Sequence, residues 1–219
     1  MEHDRIAVVD FGGQYAHLIA TKVRRLNVLA EIRQPEDPKA AFDGYKGIIF
    51  SGGPALISKG ENFDYNSEIL EVDVPVLGLC FGHQEIASRY GGAVSHGGRE
   101  WGHAELHIVK QHPLFKDLDE IEQVWMSHFD SVVDIGPDFE ELAYTVMGNQ
   151  APHRFAAVAS DTLKRYGLQF HAEVDDTPHG DIMLRNFVLD ICRCAQTWTM
   201  SRYLEEQIDQ IRRRNEIIS

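Results

Sequence analysis

The chain has 219 residues, 43% of them hydrophobic, with a formal net charge of −13 and three cysteines. That size suits one α/β domain over residues 1–219 better than two very small ones, and the acidic balance repels phosphate backbones, so no nucleic-acid partner is expected. No apolar run approaches the roughly 20 residues of a bilayer span, no signal-peptide core opens the chain, and three cysteines make no disulfide framework; the expected setting is the reducing cytoplasm, away from membrane.

Residues 6–9, Ile6-Ala7-Val8-Val9, form a short apolar run ahead of Gly12-Gly13. Residues 15–26 then set Leu18, Ile19, Val23 and Leu26 at helical spacing, which predicts strand, turn and helix. The same punctuation returns at Gly47-Ile48-Ile49-Phe50 before Ser51-Gly52-Gly53-Pro54, and at residues 74–79 before Cys80. Three buried strands alternating with helices predict a mostly parallel central sheet flanked by helices, with functional loops at the carboxyl ends of its strands. Gly13, Gly53 and Cys80 all fall there. Between residues 91 and 170 the runs shorten and alternate, as in Ala104-Glu105-Leu106-His107-Ile108-Val109, which predicts added antiparallel strands. A helical pattern covers residues 180–194. A last one sets Leu204, Ile208 and Ile211 on one face and ends in Arg212-Arg213-Arg214, a solvated helix end or a partner contact. No repeat or linker divides the chain.

The segment Gly78-Leu79-Cys80-Phe81-Gly82-His83-Gln84 has the form of a nucleophile elbow with cysteine at its tip. A strand-to-helix turn holds the nucleophile in a sparsely populated backbone conformation, so its neighbours must be small; Gly78 and Gly82 meet that need. The helix N-terminus favours a thiolate. A nucleophilic thiol also requires a base and a group that orients the base. Leu168-Gln169-Phe170 reads as a strand ending at His171, and Glu173 at i+2 in extended chain would share its side. Taken alone, each feature has a plainer reading: a buried structural cysteine, and a satisfied strand-end pair. His103, Glu105 and His107 read as the solvated face of a strand rather than metal ligands, and no metal site is expected. Cys192 and Cys194 read as structural. Ser51-Gly52-Gly53-Pro54 lacks the Lys-Ser or Lys-Thr of a phosphate loop, so an oxyanion site fits it better.

Cys80 in its elbow, Ser51-Gly52-Gly53-Pro54 on the preceding strand and His171-x-Glu173 downstream together resemble the class I glutamine amidotransferases, whose fold is flavodoxin-like. Asp10-Phe11-Gly12-Gly13-Gln14-Tyr15, Gly98-Arg99-Glu100-Trp101-Gly102 and Val124-Trp125-Met126-Ser127-His128 with Asp130 look most like the amidotransferase part of GMP synthetase. The resemblance implies catalysis by Cys80, His171 and Glu173, an oxyanion site at the N–H groups of Gly53 and Phe81, and a glutamine pocket formed by Gln84 with the backbone around Ser127, Phe129 and Asp130. It also implies a partner, an ATP-pyrophosphatase subunit that handles ATP, Mg and XMP, since no Ser-Gly-Gly-Val-Asp-Ser loop occurs in these 219 residues. No cofactor is expected on this chain. A γ-glutamyl hydrolase acting alone and a regulatory protein with a degenerate amidotransferase site are the alternatives. Two positions depart from the family pattern. Ala172 stands where Pro is usual, and Phe129 where Gly is usual; a positive φ at Phe129 would be costly.

Overall fold

Strands that are apolar on both faces cannot lie at a solvated edge, and three of the four that are wholly or almost wholly buried here share the centre of one sheet. They are β1 (Arg5–Val9), β3 (Gly47–Phe50) and β4 (Val76–Leu79). The computed structural model describes residues 3–60, 65–202, 204, 205 and 208. Its sheet is completed by β2 (Leu29–Arg33), β5 (Ala93–Ile108), β6 (Ile121–Asp134), β7 (Glu140–Val146), β8 (His153–Ser160) and the fourth apolar strand, β9 (Arg165–Leu168). The nine run in the order β2-β1-β3-β4-β9-β8-β7-β5-β6. Pairings from β2 through β9 are parallel, and those from β9 through β6 are antiparallel. The expected parallel core with added antiparallel strands is therefore present.

The alternation of side chains along the central strands divides the core in two. Ile6 and Val8 point to the face covered by α1 (Ala16–Arg25) and α3 (Gly180–Arg185), whereas Ala7 and Val9 point to the face of Phe11, Phe50, Phe81 and Ile86. Three local expectations need correction. β2 was not anticipated, because Glu31 and Arg33 break its apolar pattern; at a sheet edge they are satisfied, Tyr45 donating its hydroxyl to Glu31 and accepting from Arg33 Nε. Among the described residues no α-helix connects β2 to β3 or β3 to β4. Prolines and glycines at 35, 38, 44, 54, 60 and 75 leave only short 3₁₀ turns, at Lys39–Phe42, Ile57–Lys59 and Ser67–Glu71. The helix expected over residues 180–194 is α3 followed by a π-helical turn at Asn186–Ile191, where buried Asn186 donates to the carbonyls of Leu114 and Lys116.

Beyond that turn Cys192 and Cys194 are buried free thiols, as their structural reading required. Burial raises both, Cys192 well above its ordinary value and Cys194 to about 12. Leu204 and Ile208 are helical or in helical register and exposed, while Ile211 and Arg212-Arg213-Arg214 lie outside the described residues.

Two devices seat β4 where the chemistry needs it. α2 (Phe81–Arg89) presses directly on the sheet: a Cβ on Gly78 would lie 2.3 Å from the Gly82 carbonyl carbon, and one on Gly82 would lie 2.6 Å from Phe50 Cβ. Buried Arg165, at the start of β9, donates to the carbonyls of Leu70, Val72 and Val74 at 2.6, 2.8 and 2.9 Å, and to the Tyr90 hydroxyl at 3.0 Å. It gathers the segment that enters β4. Replacing Arg165 by Leu strands those carbonyls in the interior, and the expected loss is about 2–4 kcal/mol of unfolding free energy. Urea denaturation measures it; a loss below about 0.5 kcal/mol, the range of an ordinary surface change, refutes the clamp.

Candidate active site

Cys80 sits between β4 and α2 with φ 52° and ψ −102°, a left-handed conformation that a residue with a Cβ rarely adopts. Its N–H donates to the Leu168 carbonyl of β9 at 2.8 Å, and its carbonyl accepts from Gln84 N at 3.2 Å in the first turn of α2. Both peptide bonds flanking the strained residue are thus tied to regular structure, and the thiol projects into a pocket. The elbow expected from Gly78 and Gly82 is formed.

His171 and Glu173 come together by a different route from the one expected. β9 ends at Leu168, so residues 171–173 are not extended strand; they enter a turn ahead of α3. His171 N donates to the Trp125 carbonyl at 3.0 Å, while Thr177 Oγ1 donates to the His171 carbonyl at 2.7 Å and accepts from Trp125 N at 3.0 Å. Ala172, in the place of the family's Pro, is fully buried, and Gly180 packs on it so closely that a Cβ there would lie 1.9 Å from its carbonyl oxygen. Packing holds this turn without the proline. Lys22 of α1 anchors the far side through Asp181 at 2.6 Å and Asp175 at 3.5 Å.

The turn brings His171 Nδ1 to 2.8 Å from Glu173 Oε1, which leaves Nε2 for the thiol of Cys80, on the border of the same cavity. Burial opposes the charged imidazolium, but Cys80 and Glu173 outweigh it and raise the His171 pKa well above its ordinary value. Glu173 is completely buried, and its Oε2 has no hydrogen-bond partner among the described residues. The Tyr15 ring meets the imidazole edge-on at 5.1 Å, and Gly52 leaves room beside it, since a Cβ there would lie 3.2 Å from His171 Cε1. Orientation, charge and access of the imidazole are all constrained.

Two cavities open on Cys80. One, of about 290 Å³, is lined by Gly53, Phe81, Gln84, Ser127, Phe129 and Asp130, so every residue expected in the oxyanion site and the glutamine pocket borders the same space. The other, of about 420 Å³, is bordered by Gly13, Tyr15, Gly52, Trp125 and His171. Gly53 is wedged between Phe11 and Phe81, where a Cβ would come within 3.0 Å of the Phe11 carbonyl oxygen and 3.2 Å of the Phe81 ring. Gln84 Nε2 donates to the main-chain oxygen of Asp130 at 2.7 Å and to Gln169 Oε1 at 3.3 Å, bracing the pocket wall. The Asp130 carboxylate accepts from Ser58 N and Oγ at 2.9 and 2.6 Å and pairs with His96 at 3.0 Å. Burial alone would raise its pKa, but these partners lower it overall.

Phe129 does not carry the strain expected of it. It lies within β6 with no positive φ, and its side chain turns outward, 41% exposed, against Trp101 at a centroid distance of 6.0 Å. The Arg99 guanidinium lies 5.1 Å from its ring, so these three residues form a rim at the mouth of the pocket. Tyr15, Thr177 and Trp125 were not picked out individually from the sequence; the signal available was the position of Tyr15 just beyond a strand's carboxyl end, and for Thr177 there was none. Among the described residues no group of three or more His, Cys, Asp or Glu could hold a metal. A hollow of about 440 Å³ beside His103 and Glu105 shares no lining residue with the Cys80 cavities. Size alone does not locate the chemistry.

The profile of the family "Glutamine amidotransferase class-I" matches residues 7–191. GMP synthase [glutamine-hydrolyzing] of Dehalococcoides mccartyi is 42% identical over 219 aligned positions, covering 95% of this chain and 39% of that protein; its counterpart from Symbiobacterium thermophilum is 40% identical over 216, covering 97% and 41%. The chain thus spans about two fifths of the length of these curated relatives. Among solved structures, a Thermoplasma acidophilum protein assigned as one subunit of GMP synthase superposes with a TM-score of 0.75 at 28% identity, covering 94% of this chain and 98% of that one. A glutamine amidotransferase from Thermotoga maritima shares the fold, with a TM-score of 0.63 at 21% identity over 90% and 88% of the two chains. A nucleophile elbow on a matching sheet, and a profile match across most of its length, make this chain a member of the class I glutamine amidotransferase family.

Proposed function

We propose that the chain is the glutaminase component of a GMP synthetase, and that it supplies ammonia to adenylated XMP on an ATP-pyrophosphatase partner that binds ATP and Mg. Cys80 at its elbow, sharing a cavity with a His171 that is hydrogen-bonded to buried Glu173, carries the reading. Cys80 Sγ attacks the side-chain amide carbon of glutamine, and the oxyanion that forms is stabilised by the N–H groups of Gly53 and Phe81. His171 Nε2 gives its proton to the departing nitrogen as the C–N bond breaks, releasing ammonia and leaving a glutamyl thioester. Water, deprotonated by His171, then attacks the thioester carbon; the C–S bond breaks and glutamate leaves. Glu173 keeps the imidazole in the working tautomer. Gln84, Ser127, Phe129 and Asp130 bound the space for the amino-acid end of the substrate.

The reading of a separate subunit is supported by the Thermoplasma protein, almost all of whose length this chain covers. Reconstitution tests it. Glutamate release by the chain alone is expected to be slow, to rise at least about tenfold when the ATP-pyrophosphatase subunit, ATP, Mg and XMP are added, and to vanish in Cys80→Ala. Equal rates with and without the partner, or cleavage of γ-glutamyl peptides with no ammonia passed to GMP, refute it.

Glu173→Gln checks the electrostatics. The neutral amide is expected to lower kcat roughly 10²- to 10⁴-fold. Because Glu173 helps to raise the His171 pKa, its loss lowers that pKa, and the proton needed by the leaving nitrogen is lost sooner as pH rises. The high-pH limb of the kcat profile moves to lower pH. An unmoved limb shows that Glu173 does not act through His171.

A further inference from the structure

Two buried ionisable side chains take no part in the chemistry above, yet lie behind the wall of the glutamine pocket. Glu100 of β5 and His128 of β6 form a direct cross-strand pair and are 1% and 4% exposed. His128 Nε2 is 3.0 Å from Glu100 Oε2, and its Nδ1 is 2.8 Å from the main-chain oxygen of Asp130. A carbonyl oxygen only accepts, so Nδ1 carries a proton and donates it to Asp130, while Nε2 is held by Glu100 Oε2. Thr145 of β7 donates its hydroxyl to Glu100 Oε1 at 2.9 Å, occupying the other oxygen as an acceptor. The two side chains form a buried hydrogen-bonded pair.

Polar pairs removed from water are expensive to assemble, and their best-attested use is to fix a register. Here the register is that of the pocket wall against the helix behind Cys80. The Asp130 carbonyl that receives the His128 proton also receives Gln84 Nε2, one turn along α2 from Cys80, at 2.7 Å. The same stretch of β6 places the Ser127 carbonyl 3.8 Å from Cys80 Sγ. We propose that His128, held in place by Glu100, is a positioning residue for the glutaminase reaction: it holds residues 127–130 at the distance from Cys80 at which glutamine fits. The proposal rests on the glutaminase reading and adds a device to it.

Other ionisable and polar groups face the pair from each neighbouring element. His83 of α2 is fully buried, and burial together with His128 lowers its pKa to about 3, so it faces His128 uncharged. His153 of β8 has Nδ1 3.8 Å from Glu100 Oε2, and its ring lies 6.3 Å from that of His128. Ser131 Oγ is 3.4 Å from His128 Nδ1, and the Asp130 carboxylate is already engaged by Ser58 and His96. Glu100 is the carboxyl group in direct contact with His128 Nε2.

Steady-state kinetics of Glu100→Gln, His128→Leu and His128→Asn in the reconstituted complex test the role, with iodoacetamide alkylation of Cys80 as a second readout and ¹⁵N spectra of the histidine rings as a third. The expected result is a glutamine KM raised about tenfold or more in Glu100→Gln and His128→Leu, partly restored in His128→Asn, which keeps a donor for Asp130. Alkylation, which depends on Cys80 and His171, stays within about twofold of wild type. The wild-type spectrum shows a proton on His128 Nδ1, the one the Asp130 carbonyl requires. Should the single variants misfold, Glu100→Leu with His128→Leu removes both polar groups together, and its KM carries the same expectation. A His128 with no proton on Nδ1, an unchanged KM, or a fall in alkylation parallel to the rise in KM overturns the proposal. The ring spectra need no glutamine turnover, so a wild-type complex that releases no glutamate refutes the proposed function while His128 is judged on its protonation.

Discussion

A cysteine at φ 52° is the constraint from which much of the molecule follows. Such a conformation costs of the order of 1–3 kcal/mol and persists only where its surroundings over-determine it. The strand before it and the helix after it must therefore both be immobile and almost touching. Only glycine at 78 and 82 allows that approach, and the helix they admit lies against β3, where Phe50 faces it. The strained residue is also bonded to β9 through its N–H. That hydrogen bond continues the parallel pairing of β4 with β9, so the strand that comes last in the chain lies beside Cys80.

That adjacency solves a problem of distance along the chain. Ninety-one positions separate Cys80 from His171, yet β9 inserts beside β4 in the parallel half, and the chain leaving β9 has only to turn to present an imidazole to the thiol. The base can be placed by a turn because the turn itself is crowded: Thr177, Trp125, Gly180 and Lys22 fix it from four directions. The antiparallel half has another task. Its long hairpin, β5 with β6, brings in the pocket wall from Ser127 to Asp130, bonded to α2 through Gln84. Cys80, His171 and Glu173 follow strands of the parallel half, and the wall from Ser127 to Asp130 comes from the antiparallel half.

How much of this was legible in sequence depended on whether the signal was local. The elbow was, because tight turns demand glycine at set offsets from the nucleophile. The pairing of His171 with Glu173 was legible as spacing but for the wrong conformation. An i, i+2 pair meets in extended chain, and it also meets here in a turn; the two cannot be distinguished without knowing that β9 stops at Leu168. β2 was hidden because an edge strand needs little apolar pattern, and the missing crossover helices because residues between β2 and β4 are broken by proline and glycine. Thr177, Tyr15 and the Glu100–His128 pair were invisible as a group, since each acts through a partner dozens of positions away. Phe129 was misread for a physical reason. A departure from glycine implies strain only where φ is positive, and in β6 it is not.

The burial of Glu173 bears on the charge state of the whole site. A completely buried carboxylate with one hydrogen bond and, among the described residues, no partner for its second oxygen is poorly compensated if its neighbour is neutral. It is well compensated if His171 is an imidazolium, because the Coulombic attraction at 2.8 Å is then exerted in a medium that screens it little. Burial alone would disfavour the charged imidazole, and Cys80 and Glu173 together reverse that preference. Glu173 thus bears on the charge of the ring as well as on its orientation. Its position, in a turn ahead of α3 and deprived of solvent, makes the charged form of His171 the one that the surrounding structure accommodates best.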